Sequence, residues 1–235
     1  MTTTLTLPPL RLSDFKLIAF DMDSRLIDIE TVDEIADIAG CGPEVAAITE
    51  ATMRGEITDY KDSLRRRVAL LRGVPLSALQ AVYDQRLHLN PGAETLIGAC
   101  KKAGLRVVLL SGGFTFFTDR LRDRLKLDDT RSNVLEIEDG RLTGRMLPQP
   151  WGDICDGEAK KDKLLECCRA MGISPAQAIA VGDGANDLPM MRVAGLSVAY
   201  HAKPTVREAA MLAIDDGRLD RLLDFLQPAG PLSAG

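Results

Sequence analysis

The sequence predicts an α/β protein: a doubly wound, Rossmann-like parallel sheet with an inserted helical cap. Three observations carry that reading. Short apolar runs alternate with helical patterns, as in a parallel sheet covered on both faces. One long block, from about residue 31 to 88, holds helical patterns only. Polar residues gather directly after three of the apolar runs, and ligands of open parallel sheets bind outside the carboxyl ends of the strands.

Each element has its own signal. Leu17–Ile18–Ala19–Phe20 is a short buried-strand run, and Arg106 to Leu110 a second. Ala178 to Val181, Leu196 to Tyr200 and Met211 to Ile214 follow. Helical patterns lie between them over 91–103, 115–125, 158–171 and 186–194. Val134 to Leu142 differs: two alternating runs flank Asp139–Gly140, a hairpin signal. In the helical block, Val32, Ile35, Ala36 and Ala39 share one face. Val45, Ile48 and Met53 suggest a second helix, Leu64, Val68 and Leu71 a third, and Leu76, Leu79, Val82 and Tyr83 a fourth. Glycine and proline at 42–43, 55 and 73–75 punctuate them. The expected organisation is a catalytic core over 13–29 and 90–227, a cap over 30–89, and flexible ends at 1–12 and 228–235.

Bulk properties bound the function. The chain has 235 residues, 46% hydrophobic and 27% charged, with net charge −5. That balance argues against a broad nucleic-acid-binding surface. No apolar run approaches the ~20 residues of a membrane helix. The start, MTTTLTLPPLRLSDF, lacks the pattern of a signal peptide. Five cysteines show no metal-type spacing and read as reduced thiols of a cytoplasmic protein.

The chemistry sits after the strands. Asp21 and Asp23 follow the first run, and Ser111, Gly112 and Gly113 the second. Gly182–Asp183–Gly184–Ala185–Asn186–Asp187 follows the third, and Lys160 lies on the helix before it. Taken singly, each reads as a turn or a helix cap. Together they put several carboxylates, a hydroxyl, backbone amides and one lysine at one crevice. Clustered carboxylates repel unless a cation joins them. An all-oxygen donor set favours a hard ion such as Mg²⁺. Amides and a lysine beside such an ion suit a phosphoryl group, and a carboxylate can attack its phosphorus.

These motifs resemble the four motifs of the haloacid dehalogenase superfamily. The strings FDMDS, DEIAD, MRGE, SLRRRV, LLSGGF and VGDGANDLPMM are similar to its phosphoserine phosphatase branch, over about Phe15 to Leu226. The resemblance implies a Mg²⁺-dependent hydrolysis of L-phosphoserine to L-serine through an aspartyl-phosphate, the last step of serine biosynthesis. Asp21 would be the nucleophile and Asp23 the general acid–base. Mg²⁺ would be held by Asp21, the Asp23 backbone carbonyl and Asp183, supported by Asp187. Ser111, Gly112 and Lys160 would hold the phosphate. Glu30 would meet the substrate amino group and Arg67 its carboxylate. Asn186 would contact the substrate or Asp183, and Met53 and Tyr60 would line the pocket. The partner is a small molecule, with no nucleic acid or membrane, acting on a monomer or homodimer.

Arg25 departs from the pattern, which usually has threonine two residues after the acid–base. Three readings are open. The guanidinium points outward or pairs with Asp28 or Glu30. Alternatively it enters the crevice, lowers the pKa of Asp21 and Asp23 and competes with Mg²⁺. Or it marks a changed substrate or an engineered variant. Two rival functions follow: a silent phospho-amino-acid binder disabled by Arg25, and a phosphoserine-dependent phosphotransferase.

Overall fold

The computed structural model describes residues 10–227. Seven strands form one sheet: β1 (Leu17–Phe20), β2 (Arg106–Phe114), β3 (Asp129–Glu138), β4 (Arg141–Leu147), β5 (Ala178–Gly182), β6 (Leu196–Tyr200) and β7 (Leu212–Ile214). Their order is β4-β3-β2-β1-β5-β6-β7. All pairs are parallel except β3 with β4. β1 lies between β2 and β5, with Leu17 in register with Arg106 on one side and Ala178 on the other. The chain leaves this central strand in both directions, so the carboxyl ends of β1, β2 and β5 open onto one crevice.

Alternation along β1 feeds two cores. Ile18 and Phe20 join the larger one with Val107, Leu109 and Val181. Leu17 and Ala19 join the smaller one with Val108, Leu110 and Ala180. A strand buried on both faces needs apolar residues at every position, and all four residues of β1 are buried.

Most of the expected elements form. β2 differs: it runs past Leu110 through the Ser–Gly–Gly stretch to Phe114, with a register shift against β3 between Leu110 and Phe114. Small residues tolerate the irregularity, so the polar stretch is a distorted strand end and not a loop. The helix expected over 186–194 is also split, into a 3₁₀ turn at Ala185–Asp187 and α8 (Leu188–Val193). Asp187 spends its side chain on the amides of Asp183 and Gly184, and Pro189 suits the first turn of the helix that follows. The hairpin forms at Asp139–Gly140, both with positive φ (49° and 72°).

Residues 31–85 form α1 (Thr31–Ala39), α2 (Gly42–Met53), α3 (Tyr60–Leu70) and α4 (Leu76–Gln85). Val32, Ile35, Leu64, Val68 and Leu79 merge with the larger core. The two connecting segments pair, with Ile27 opposite Leu89. The hairpin braces the helices, because the Gly73 N–H donates to the Leu142 carbonyl (2.7 Å) and the Leu142 N–H to the Val74 carbonyl (2.9 Å).

At the amino end, Leu10 and Arg11 belong to the stretch expected to be flexible, yet Arg11 bridges Gln227, whose N–H donates to the Leu10 carbonyl (2.8 Å). Leu12, also in that stretch, opens a 3₁₀ turn (Leu12–Asp14), and residues 1–9 and 228–235 lie outside the described residues. All five cysteines are free thiols. Among the described residues no helix is long and apolar enough to cross a membrane.

Candidate active site

The site starts at the end of β1. Asp21 keeps extended backbone, and its N–H donates to the Val181 carbonyl of β5 (3.0 Å). The chain then makes one wide turn, Met22–Leu26, in which Ser24 takes a left-handed conformation (φ 58°). That conformation is unusual for a residue with a side chain. The Ser24 hydroxyl donates to Glu30 (2.6 Å), drawing Glu30 to the crevice.

Lys160 holds the centre. It projects from α7 (Gly157–Met171), whose amino end is capped by Asp156. The ammonium is completely buried and donates to Asp21 Oδ1 and Asp187 Oδ1, each at 2.7 Å. Burial opposes its charge, but Asp187 and Asp21 outweigh burial and hold its pKa well above the usual lysine value. Asp187 Oδ2 accepts the N–H groups of Asp183 (2.9 Å) and Gly184 (3.1 Å). A Cβ on Gly182 would lie 2.4 Å from the Asp187 Cβ, so Asp187 can pack here only against a glycine.

The two acids after β1 are both pushed upward. Burial, then Asp187, raises Asp21 to about 7, against the opposing pull of Lys160. Burial, then Glu30 and Asp21, raises Asp23 well above the carboxylate range. Thr31 works against that shift: its N–H donates to Asp23 Oδ1 (3.3 Å) and its hydroxyl to Oδ2 (3.2 Å).

Behind the crevice, Ser111 Oγ accepts the Gly113 N–H (2.8 Å). Asn133, on β3, donates to the Gly112 carbonyl (2.8 Å) and accepts the Cys155 N–H (2.8 Å). It thus fixes the end of β2 to the segment leading into α7.

A cavity of about 870 Å³ lies between α1, α2 and α3 and the carboxyl end of the sheet. Asp21, Asp23, Glu30, Arg67, Gly112, Asp183 and Asn186 line it. Ser111, Lys160 and Asp187 are buried at its floor and are not among the lining residues. Tyr60 lines it, while the Met53 side chain lies outside the described residues. Asp33, Thr31 and Lys203 belong to the site and escaped the sequence reading. Asp33 Oδ1 and Arg67 Nε are buried without a hydrogen-bond partner among the described residues, and both residues line the cavity. Lys203 follows β6, where no acid, hydroxyl or glycine motif marks a site, and Thr31 has the signature of an ordinary helix-start residue.

Arg25 overturns the outward reading. It pairs with neither Asp28 nor Glu30. It is 5% exposed, and Nη2 lies 2.7 Å from Asp183 Oδ2. Nη1 donates to the Tyr200 carbonyl and, at 3.4 Å, to that of His201. The guanidinium does enter the crevice, as the second of the three readings has it, but the lowering attached to that reading is not what results: Asp21 and Asp23 are both raised, with burial the largest cause.

The donor set suits a hard divalent cation. Asp21, Asp183 and Asp187 each bring one carboxylate oxygen within 4.8 Å of the others. Lys160 cancels only one of these three charges.

The model of the haloacid dehalogenase-like hydrolases matches residues 18–192. The chain belongs to that family. Among related hydrolases, the phosphoserine phosphatase of Polaromonas sp. is 71% identical over 94% of this chain and 93% of its own length. That of Albidiferax ferrireducens is 68% identical over the same shares. A haloacid dehalogenase-family hydrolase from Salmonella enterica serovar Typhi matches in structure with a TM-score of 0.84 and 40% identity, over 93% of this chain and 72% of that one. A substrate-bound phosphoserine phosphatase complex matches with a TM-score of 0.83 and 37% identity, over 91% and 99%.

Proposed function

We propose that this hydrolase is a Mg²⁺-dependent phosphatase that converts L-phosphoserine to L-serine and phosphate through an aspartyl-phosphate on Asp21. The observation that carries the reading is the Asp21–Lys160–Asp187 arrangement beside a raised Asp23, in a cavity that Glu30 and Arg67 also line. The relatives' names supply the substrate.

In this reading an Asp21 oxygen attacks phosphorus, and the bond to the serine oxygen breaks. Asp23 enters protonated, as its raised pKa supports, and donates that proton to the departing oxygen. In the second half-reaction Asp23 takes a proton from water, which attacks phosphorus and frees Asp21. Lys160 and the amides around Ser111 and Gly112 balance the phosphoryl charge. Glu30 takes the substrate ammonium and Arg67 its carboxylate. Asn186 faces the same cavity and helps to orient the bound molecule. Asp21, Asp183 and the Asp23 carbonyl would hold Mg²⁺, with Asp187 in support. The ion supplies charge neutralisation between Asp21 and the phosphoryl oxygens when bound. The residues before and after 30–89 act as the catalytic core and those within it as the cap. A cytoplasmic role closing serine biosynthesis belongs to the same reading, and free thiols support that compartment.

One observation favours a second reading, a binder of phospho-amino acids with little turnover: Arg25 already holds Asp183. Phosphate release from L-phosphoserine, with Mg²⁺ or with EDTA, separates the two. Mg²⁺-dependent release with acid-labile phosphate trapped on Asp21 is expected. Ligand-induced thermal stabilisation without release would establish the binder instead.

A further inference from the structure

Arg25 is a cation built into the acidic cluster. Its root is fixed, because Asn90 Nδ2 donates to the Arg25 carbonyl (2.8 Å) and to that of Ile27 (2.9 Å). Its guanidinium is fixed as well, by Asp183 at the end of β5 and by the Tyr200 and His201 carbonyls at the end of β6. Nε is buried with no hydrogen-bond partner among the described residues. A group this enclosed does not swing freely into solvent.

Charge decides what it does there. With all three ionised, Asp21, Asp183 and Asp187 carry three negative charges against Lys160, and Arg25 cancels one of the two that remain. An arginine cannot shed its proton. A divalent cation that takes up Asp183 must therefore either displace the guanidinium or accept it as a like-charged neighbour, and both cost affinity.

We propose that Arg25 is a tethered counter-cation that competes with the divalent ion for Asp183, lowering the affinity for that ion and stabilising the metal-free fold. The inference rests on the metal reading of this cluster. It makes Arg25 a positioning residue that sets the Mg²⁺ concentration at which the site loads.

The test is a calorimetric titration with Mg²⁺ alone, without substrate, on the parent chain, Arg25→Thr and Arg25→Met. Methionine keeps much of the side-chain length. Both variants are expected to bind Mg²⁺ about tenfold more tightly than the parent, and in EDTA both are expected to melt at lower temperature. A merely structural arginine would lower the melting temperature and leave the Mg²⁺ affinity alone; equal affinities in parent and variants overturn the inference while the metal reading stands. Absence of Mg²⁺ binding in all three overturns both. Should neither variant fold, the parent labelled with ¹⁵N-arginine serves. Its Arg25 guanidinium signals are expected to shift as Mg²⁺ saturates, and unchanged signals overturn the inference.

Discussion

The hydroxyl of Tyr60 stands where Gly112 would carry a side chain: a Cβ on that glycine would lie 1.9 Å from the oxygen. Tyr60 opens α3 and Gly112 lies near the end of β2, so one contact joins the helical insertion to the floor of the site.

Gly112→Ala is expected to push Tyr60 away, with an overpacking cost of about 1–3 kcal/mol and a fall in turnover. Tyr60→Phe in the same chain removes the colliding oxygen but leaves Cζ, 3.2 Å from the new methyl. The double variant is therefore expected to recover part of the loss. Stability curves and phosphate release on the two single variants and the double variant check it, and plain additivity would contradict the contact's role.

Asp23→Asn is expected to reduce turnover by about 10²–10⁴-fold, the usual worth of a positioned acid–base. Thr31→Val is the finer probe. It removes the hydroxyl that donates to Asp23 and pulls its pKa down. The pH–rate limb that belongs to Asp23 is expected to move upward, and a profile that falls in height without moving would mean that Thr31 only packs.

Asp21 gives the metal-free protein an inverted pH dependence. Its folded pKa, about 7, lies above the ordinary 3.8. The folded state thus holds the proton more tightly, so this stability is present below about pH 4 and lost as pH rises through 7. In EDTA, the parent is expected to lose about 3 kcal/mol relative to Asp21→Asn between those limits. Urea midpoints across that window measure it. The raised Lys160 does not contribute there, because its stabilisation is lost only far above neutrality.

Arg67→Ala is expected to lower kcat/KM for L-phosphoserine at least about tenfold. Phosphoethanolamine, which has the phosphate and amine but no carboxylate, should be nearly indifferent to that change. Glu30→Gln should show the complementary pattern with 3-phosphoglycerate, which lacks the amine. Equal losses on all three substrates would remove both residues from substrate recognition.

The exposed ion pairs of Lys61 and Arg65 with Asp153 also tie α3 to the core. Surface pairs of this kind contribute about 0–1 kcal/mol, so Asp153→Ala is expected to leave the urea midpoint almost unchanged.

Much of this protein was legible in its residues. Strands buried on both faces have to be apolar throughout, which is why the runs Leu17 to Phe20 and Ala178 to Val181 are legible without a partner in view. Asp139–Gly140 encodes its own turn through backbone preference. The acids and glycines of the site follow strand ends, where topology obliges them to converge. By contrast, β2 continues past Leu110 only because neighbouring strands pair with it, and no local signal in Ser111–Gly113 reports that. Thr31, Asn133 and Lys203 are ordinary polar residues until the chain brings Asp23, Cys155 and the cavity beside them.

By itself the sequence determined the sheet, the helical insertion and the set of charged groups, because periodicity, turn chemistry and strand-end placement are local. Only the tertiary structure decided which charge meets which. Arg25 had Asp28 and Glu30 within a few residues, yet its partner is Asp183, 2.7 Å away and on another strand end. Ion pairing depends on distance and burial in space, and neither is written in the spacing along the chain.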